Sequence, residues 1–401
     1  MKQKRLMLLG GIRYLIPVID QCHKMGIHVI TADYLPDNIA HRFSDEYCNV
    51  SIVDKDAVLE AAIRYKIDGI LSFAVDPGVI SAAFVAEKLS LPFQCSYEVA
   101  CILQNKVLFR EFLKDNGFNS PLSYGYSCLS DAINDAHHFS WPIIVKPVDS
   151  AGSKGVNKVC TFDQLAKAFN IALSYSPSKK VIIESFLDKV GEQSSADIFV
   201  ADGKLVYPAF SDQFFDIDAP NPYTPSMEVW PSSMPQLYQN TLSLELQRLI
   251  TLLNIKSGLF NVESRICSDG KAYIMEFSPR GGGNRIAEIQ GLATNTPLIE
   301  NEILKSLDLP LRHLEKPEYN GVWVNLILHT NQSGVFQGIQ IHPDVRKHIA
   351  FEDYCTAPGT EINGFSGAHT SIGSIFLHFK NRDDFKSMFD KLSSSICVKV
   401  N

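Results

Sequence analysis

The chain lacks the sequence features of membrane, nucleic-acid-binding and disulfide-rich proteins. It has no stretch of about 18 uncharged apolar residues, so we predict no transmembrane helix. The formal net charge is −7 and no basic run occurs, so nothing electrostatic favours a nucleic-acid partner. The 9 cysteines are scattered without a C-x-x-C motif, which predicts reduced thiols in a cytoplasmic protein, with neither a disulfide framework nor a zinc site.

Two common nucleotide-binding motifs are incomplete. Gly10 and Gly11 follow the first predicted strand, but the third glycine of G-x-G-x-x-G is missing. A tight strand-to-helix turn is therefore a better interpretation than an NAD site. The glycine-containing loop at 150–155 does not have the G-x-x-x-x-G-K-[ST] spacing, which disfavours a P-loop NTPase.

What the N-terminal hundred residues do show is an alternation of apolar strands and helices. Strands are predicted at 6–9, 28–32, 47–50, 69–73 and 91–94, with helices between them at 12–25 and 57–65. This pattern indicates a small doubly wound α/β domain.

The segment 259–279 predicts a β-hairpin in which two glutamates face each other. If residues 269–270, an Asp-Gly pair, form a two-residue loop, counting back pairs Glu263 with Glu276 and Asn261 with Ser278. These four side chains then share a polar face, because side chains alternate along each strand. The opposite, buried face is predicted to carry Phe260, Val262, Met275 and Phe277.

Directly opposed carboxylates lie roughly 5 Å apart at Cβ and repel each other unless a cation lies between them. A ligand set of oxygens favours Mg²⁺, whose coordination is usually completed by substrate phosphates. The alternative is a solvated sheet face with two unrelated glutamates. The pattern by itself leaves both interpretations open.

A second candidate region begins with the strand that contains Lys146. The strand leads into a Gly- and Ser-containing loop at 150–155. The backbone N–H groups of such a loop bind phosphates while the lysine supplies a point charge. A flexible hairpin without a ligand is the alternative.

A third candidate region is the apolar strand 181–187, which contains Glu184 and is followed by Glu192. One carboxylate at such a strand end is suited to an adenine ring and the next to ribose hydroxyls. Taken one at a time, both would be interpreted as solvated loop residues.

The order of these motifs resembles the ATP-grasp superfamily over residues 1–300, including its biotin carboxylase-like and carbamoyl phosphate synthetase-like members. The resemblance implies that Lys106 and Lys146 contact the ATP phosphates, that 184–187 is the adenine hinge, and that Glu192 binds ribose. The implied nucleotide-binding residues are Lys106, Lys146, Ser150, Gly152, Ser153, Gly155, Glu184, Phe186, Leu187 and Glu192.

The same resemblance implies a metal and substrate site. Glu263, Glu276 and Ser278 match the magnesium ligands, although the family more often has asparagine where this chain has Ser278. Arg280 matches the arginine that faces the transferred phosphoryl group, so Arg280 and Lys146 are the predicted catalytic residues. Arg280 and Arg285 are predicted to approach an anionic substrate.

The fold implied is an α/β ATP-grasp fold with an N-terminal doubly wound α/β (pre-ATP-grasp) domain and a C-terminal α+β domain. The predicted limits are 1–104, 105–305 for the ATP-grasp domain, and 306–401. The last part, with strands at 319–329, 334–341, 373–379 and 396–400 and a helix at 382–393, resembles more weakly the C-terminal domain of ATP-grasp L-amino-acid ligases. Residues 212–235 are predicted to be irregular, either a lid over the substrate or a passive insertion.

The function implied is an ATP-dependent carboxylate–amine ligase that forms an amide through an acyl phosphate and releases ADP and phosphate. The implied cofactors are ATP and two Mg²⁺ ions, which Mn²⁺ is able to replace. Amino acids are the expected carboxylate and amine substrates, and a homodimer is the expected assembly. The alternatives are carboxylation or formyl transfer by the same fold, a non-catalytic ATP-binding protein, and an NAD-dependent oxidoreductase.

Overall fold

The computed structural model describes residues 3–401, and its first hundred residues form a parallel α/β layer. Four strands pair in the order β3-β2-β1-β4, all of them parallel. Parallel strands covered by helices on both faces are buried throughout, which explains the apolar runs in the sequence. The elements are β1 Arg5–Leu9, α1 Ile16–Lys24, β2 His28–Asp33, β3 Glu46–Asn49, α2 Lys55–Tyr65, β4 Gly69–Leu71, α3 Asp76–Leu89 and α4 Tyr97–Gln104.

The doubly wound α/β prediction is confirmed, but the predicted strand at 91–94 is wrong. Its backbone bonds to a loop rather than to a neighbouring strand, since the Gln94 carbonyl accepts from Lys256 N at 2.9 Å. The predicted helix at 12–25 begins with a 3₁₀ turn, Arg13–Leu15, before α1.

Two antiparallel sheets follow in the chain. β5, β8, β6 and β7 form the first in that order, and β10, β9, β13 and β14 form the second. We refer to them as the lysine sheet and the carboxylate sheet, after Lys146 and Glu263. The elements are α5 Lys106–Asp115, β5 Ser123–Tyr126, α6 Leu129–Asn134, β6 Ile143–Pro147, β7 Asn157–Val159, α7 Leu165–Tyr175, β8 Val181–Ser185, β9 Ser194–Ala201, β10 Lys204–Tyr207, β11 Asp212–Phe215, β12 Pro225–Trp230, α8 Gln236–Leu252, β13 Gly258–Ile266, β14 Ala272–Ser278, α9 Ile286–Thr294 and α10 Leu298–Ser306.

The remaining elements complete a five-stranded sheet, β11-β12-β15-β19-β17, and a small sheet, β18-β16-β20. The five-stranded sheet takes strands from both sides of residue 305. These elements are β15 Val322–Leu328, β16 Gly334–Ile341, α11 Pro343–Arg346, β17 Ile349–Tyr354, β18 Glu361–Ile362, β19 Gly373–Phe379, α12 Arg382–Ser395 and β20 Ile396–Val400. None of the helices within residues 3–401 is long and apolar enough to span a bilayer.

The prediction that 212–235 is irregular is wrong for much of that segment. β11 and β12 pair with each other, and β12 also pairs with β15. Met227 and Val229 of β12 join the hydrophobic core, while Glu228 is buried on the other face. The strands form because this period-2 alternation lets one face pack against the sheet core.

Candidate active site

The two glutamates of the predicted hairpin lie directly opposite each other. Glu263 of β13 pairs with Glu276 of β14, and Asn261 pairs with Ser278. The predicted register is therefore confirmed at all four positions. Phe260, Val262 and Phe277 are buried on the other face as predicted, whereas Met275 is only partly buried.

The turn of this hairpin differs from the prediction. Cys267 N and Lys271 O pair across it at 3.0 Å, which leaves three loop residues instead of two. Gly270 ends the loop at φ +74°, the left-handed conformation that a three-residue hairpin loop requires. A bulge between Glu263 and Ser264 then shifts the register back by one residue. The two departures cancel, so the glutamates still face each other.

The facing carboxylates of Glu263 and Glu276 repel each other. Burial and the charge of Glu276 raise the pKa of Glu263 to about 7, although the nearby charges of Arg265, Lys146 and Lys106 act in the opposite direction. A divalent cation between the carboxylates would remove this repulsion, so the donor set fits Mg²⁺. Within residues 3–401 no group of three or more His, Cys, Asp and Glu side chains is arranged to hold a metal. A metal here would thus depend on two carboxylates and on ligands from the substrate.

Ser278, the third predicted ligand, is already bonded to protein groups. Its hydroxyl donates to Asp76 at 3.0 Å and accepts from the Gln104 amide at 2.8 Å. Its role as a metal ligand remains a prediction, and it rests on the one lone pair that these bonds leave free.

Two cationic side chains, Lys146 of the lysine sheet and Arg110 of α5, pair with Glu184, and Lys106 of α5 lies close to Lys146. Lys146 Nζ lies 2.7 Å and Arg110 Nε 2.8 Å from the two carboxylate oxygens of Glu184. Although burial alone would raise it, the charges of Arg110 and Lys146 lower the pKa of Glu184 to about 2. Burial, together with the charges of Arg110 and Lys106, lowers the pKa of Lys146 to about 8. An anionic ligand near Lys146 would favour its charged form.

Lys106 connects this cluster to the predicted phosphate loop. It stands at the start of α5, which Asn105 caps by accepting from Val107 N and Leu108 N. Its ammonium donates to the Ser150 carbonyl at 2.9 Å. Its charge also acts on Glu263, so both predicted lysines lie close to the carboxylate pair.

The loop at 150–155 is held against a distant segment of the chain. Gly152, Ser153 and Gly155 all adopt positive φ angles. The Ser153 hydroxyl donates to the Tyr223 carbonyl at 2.8 Å, and the Asn221 amide donates to the Ser153 carbonyl at 3.0 Å. The segment between β11 and β12 thus closes over the loop.

The predicted hinge follows β8 as a short extended segment. Phe186 and Leu187 are half-buried, and the Lys158 ammonium lies 3.8 Å from the centre of the Phe186 ring. Glu192 forms an ion pair with Lys189. The roles of these residues in adenine and ribose binding remain predictions, and the Glu184 side chain faces the cations described above.

Arg280 is fixed by a residue from the N-terminal layer. Its guanidinium forms two bonds of 2.8 Å to Asp76, which lies at the start of α3. Although burial acts in the opposite direction, the charge of Arg280 lowers the pKa of Asp76. The guanidinium also lies 4.0 Å from Glu276, beside the carboxylate pair. No local motif marks Asp76, so its role could not be predicted from the sequence.

The loop that follows Arg280 is held by Asp197. Both carboxylate oxygens of Asp197 accept from Gly282 N, at 2.8 and 2.9 Å. A Cβ atom at Gly282 would lie 2.8 Å from Asp197 Oδ1, so the close approach requires glycine. Asn284 and Arg285 then adopt left-handed φ angles of +50° and +61°.

Arg285 lies where three parts of the chain meet. It pairs with Glu288 and, at 2.7 Å, with Asp353 of β17. Arg13 pairs with the same Asp353 oxygen at 2.8 Å. The predicted contact of Arg285 with an anionic substrate remains a prediction, and such a substrate would have to compete with these two carboxylates.

Comparisons with known proteins agree with this arrangement. Residues 139–288 match the model of the ATP-grasp domain family. The chain therefore contains an ATP-grasp domain, and its overall fold is that of the ATP-grasp proteins.

A carbamoyl phosphate synthase large chain from Thermoanaerobacter sp. (strain X514) is 26% identical over 321 residues, which cover 75% of this chain. The match spans only 28% of that relative's length. An L-amino acid ligase from Bacillus licheniformis superposes with a TM-score of 0.85 at 18% identity, covering 100% of both chains. A biotin carboxylase domain of the Hydrogenobacter thermophilus 2-oxoglutarate carboxylase, solved with MgADP and bicarbonate, superposes with a TM-score of 0.76 at 12% identity, covering 100% of this chain and 92% of that one.

Proposed function

We propose that the protein is an ATP-dependent ligase that joins a carboxylate to an amine through an acyl phosphate, releasing ADP and phosphate. One observation carries the proposal: Glu263 and Glu276 face each other at a position that the charges of Lys106 and Lys146 reach. Two carboxylates suit magnesium, and adjacent lysines suit the phosphates that complete its coordination.

The proposed roles of the charged side chains follow from their charges. Lys106 and Lys146 would bind the ATP phosphates, and 150–155 would cover them with backbone N–H groups. Arg280, oriented by Asp76, would neutralise the phosphoryl group as it passes to the substrate carboxylate. Mg²⁺, when bound, supplies charge neutralisation and aligns the reacting oxygens.

The amine then attacks the acyl carbon, and phosphate leaves. Amino acids are the proposed substrates, an inference supported by the superposition with the L-amino acid ligase over the full chain. Water exclusion is needed throughout, because an exposed acyl phosphate hydrolyses. The contacts of 150–155 with Asn221 and Tyr223 support a role for that segment in closure.

The experiment is phosphate release from MgATP, screened over pooled amino acids and small carboxylic acids, with mass spectrometry of the products. A pool that raises phosphate release and yields an amide mass supports the proposal. Bicarbonate and formate belong in the screen, since a product from either would instead assign carboxylation or formyl transfer. Binding of ATP with no turnover in any pool would contradict the ligase assignment and favour a non-catalytic nucleotide-binding protein.

A further inference from the structure

The five-stranded sheet carries a row of buried polar atoms that have no hydrogen-bond partner in the part of the chain that the structure describes. Glu228 of β12 is 1% exposed, and Asn325 of β15 and Ser374 of β19 are both 0% exposed. One carboxylate oxygen of Glu228, the amide oxygen of Asn325 and the hydroxyl of Ser374 form no hydrogen bond of normal geometry within the described residues, although the Ser195 side chain lies close enough to Glu228 to lower its pKa. Buried polar atoms are normally paired, so three unpaired ones in a small region suggest a missing ligand.

The strand register brings these side chains to one face. Glu228 is paired directly with Asn325 across β12 and β15, and Ser374 is paired with Ile327, two residues beyond Asn325. Because alternate residues share a face, Asn325 and Ile327 point the same way, and their partners point with them. Met227 and Val229, on the opposite face of β12, belong to the hydrophobic core.

This polar face is turned toward the proposed reaction site. The Asn325 amide donates to the Asn284 carbonyl at 2.6 Å, in the loop that follows Arg280. Glu228 lies close enough to Glu263 and Asp197 for their charges to act on it. Glu228 is therefore near the carboxylate sheet, and Asn325 is beside the loop that follows Arg280.

The unpaired atoms also specify the ligand's chemistry. Carboxylate and amide oxygens only accept hydrogen bonds, and a hydroxyl is able to accept. The other carboxylate oxygen of Glu228 already receives a bond of 3.1 Å from the Gln213 amide. A group with several N–H donors and a positive charge, a primary ammonium, complements these acceptors. The indole N–H of Trp230, two residues beyond Glu228 on the same face of β12, also has no partner within residues 3–401, and it suits an acceptor atom elsewhere on the same ligand.

On the basis of the proposed ligase function, we propose that Glu228, Asn325 and Ser374 form the binding site for the amine substrate, with Glu228 as its proton acceptor. An ammonium is not nucleophilic until it loses a proton. Here the proton moves to the Glu228 carboxylate, and the freed nitrogen lone pair attacks the acyl carbon. The C–N bond forms as the C–O bond to phosphate breaks, and phosphate leaves with that electron pair and takes up the second proton of the attacking nitrogen.

The electrostatics of Glu228 suit this task. Burial, with the charges of Asp197 and Glu263 adding to it, raises the pKa of Glu228 to about 8, although the Gln213 hydrogen bond acts in the opposite direction. A carboxyl group with this pKa holds a proton far better than an exposed glutamate does. A bound ammonium favours the ionised form of Glu228, and the raised pKa brings this carboxylate close to an amino group in basicity, which favours proton transfer between them.

The test compares two buried glutamates that differ in their partners. Glu228→Gln removes the proton acceptor and keeps the shape. Glu302→Gln is the matched control, because Glu302 is also 1% exposed but its carboxylate accepts from Gln94 and Leu259 N and pairs with Lys305. The probe is a pool of amino acid amides, which carry an amino group but no carboxylate to be activated. Their effect on the melting temperature is measured in the presence of Mg²⁺ and a non-hydrolysable ATP analogue.

We expect the amide pool to raise the melting temperature of the unaltered protein and of Glu302→Gln, but not that of Glu228→Gln. The ATP analogue with Mg²⁺ stabilises all three. An equal shift in Glu228→Gln, or no shift in the unaltered protein, would overturn the amine site. Failure of the ATP analogue to stabilise the unaltered protein would instead count against the proposed function.

Once an amine substrate is known, hydroxylamine provides a second readout. It is uncharged at neutral pH and needs no proton acceptor before it attacks. Glu228→Gln is expected to lose at least tenfold in kcat with the amine while still forming hydroxamate at the rate of the unaltered protein. Equal losses with both nucleophiles would show a merely structural role and overturn the proposed proton transfer.

Discussion

The lysine sheet and the carboxylate sheet place buried glutamates in opposite electrostatic surroundings. Glu184 on the first sheet is compensated by Arg110 and Lys146, and its pKa falls to about 2. Glu263 on the second sheet faces Glu276, and its pKa rises to about 7. The cations beside Glu184 outweigh its burial, whereas Arg280, 4.0 Å from Glu276, and the more distant lysines leave the pKa of Glu263 raised, and a proton or a bound cation would relieve the remaining repulsion. The proposal that Mg²⁺ binds at the carboxylate sheet rests on this difference.

The largest expected effect comes from removing one charge of the facing pair Glu263 and Glu276. Glu276→Gln removes one charge without changing shape, so we expect the fold and melting temperature to persist. A bound metal stabilises the transition state by several kcal/mol. If Glu276→Gln loses the metal, kcat is therefore expected to fall by on the order of 100-fold or more. The measurement is phosphate release as a function of Mg²⁺ concentration.

Glu245→Gln, in the partly exposed ion pair with Arg248 on α8, serves as the control and is expected to keep full activity. Activity in Glu276→Gln equal to that of this control would rule out the metal assignment.

At the lysine sheet, Arg110→Met removes one of the two cations that pair with Glu184. Removing one partner of a buried pair costs about 3 kcal/mol in unfolding free energy, because the other charge stays buried. Urea unfolding measures the change. Arg346→Met is the control, because Arg346 is exposed and its ion pair with Glu352 is 3.9 Å long, and it is expected to lose no more than about 1 kcal/mol.

A double variant, Arg110→Met with Glu184→Gln, sharpens this result. We expect it to recover part of the lost stability, since it no longer buries an undercompensated carboxylate. Additive losses in the double variant would show that the two side chains do not interact.

The pH dependence of stability separates the two glutamates. Glu263 has a raised pKa, so its protonated form stabilises the fold below the ordinary value of 4.5, and this contribution is lost as pH rises through about 7. Glu184 has a lowered pKa, so its contribution is present above 4.5 and is lost as pH falls toward about 2.

Mg²⁺ requires ionised carboxylates as ligands. The rise in melting temperature that Mg²⁺ causes is therefore expected to grow between about pH 5 and pH 8, the range over which Glu263 loses its proton. Differential scanning calorimetry with and without Mg²⁺ measures this. A Mg²⁺ effect of constant size over that range would contradict the coupling of Mg²⁺ to Glu263.

The smallest expected effect concerns the loop that extends from the lysine sheet. Asn221→Ala removes amide bonds of 3.0 Å to the Ser153 carbonyl and 3.2 Å to the Ser366 carbonyl. Weakening the closed loop by about 1 kcal/mol raises the KM for ATP roughly fivefold. Steady-state kinetics at varied ATP measures it.

Asn116→Ala is the matched control. It removes an amide bond to the Phe112 carbonyl at an exposed helix end and is expected to leave KM unchanged. A KM for Asn221→Ala equal to that of this control would show that the contact does not hold the loop over ATP.

The carboxylate pair could be predicted from the sequence because it depends mainly on the local hairpin register. Even so, the loop was one residue longer than predicted, and only the bulge after Glu263 restored the pairing. The turn residues of a hairpin are visible in the sequence, whereas the position of a bulge depends on neighbouring strands and is not.

Asp76 and Glu228 could not be predicted in the same way. Asp76 reaches Arg280 across 204 positions of the sequence, and only the packing of the N-terminal layer brings them together. Glu228 did have a local signal, since Ser226, Glu228 and Trp230 alternate with Met227 and Val229 along β12. The aromatic and proline content of 212–235 concealed that alternation.

The most direct test of the proposed chemistry follows one oxygen atom. With an amino acid or acid pool labelled with ¹⁸O in the carboxylate, the acyl phosphate route transfers one labelled oxygen to the released phosphate, because the C–O bond breaks when the amine attacks. We predict ¹⁸O-labelled phosphate by mass spectrometry whenever amide forms. Amide formation with unlabelled phosphate would contradict carboxylate activation by phosphorylation.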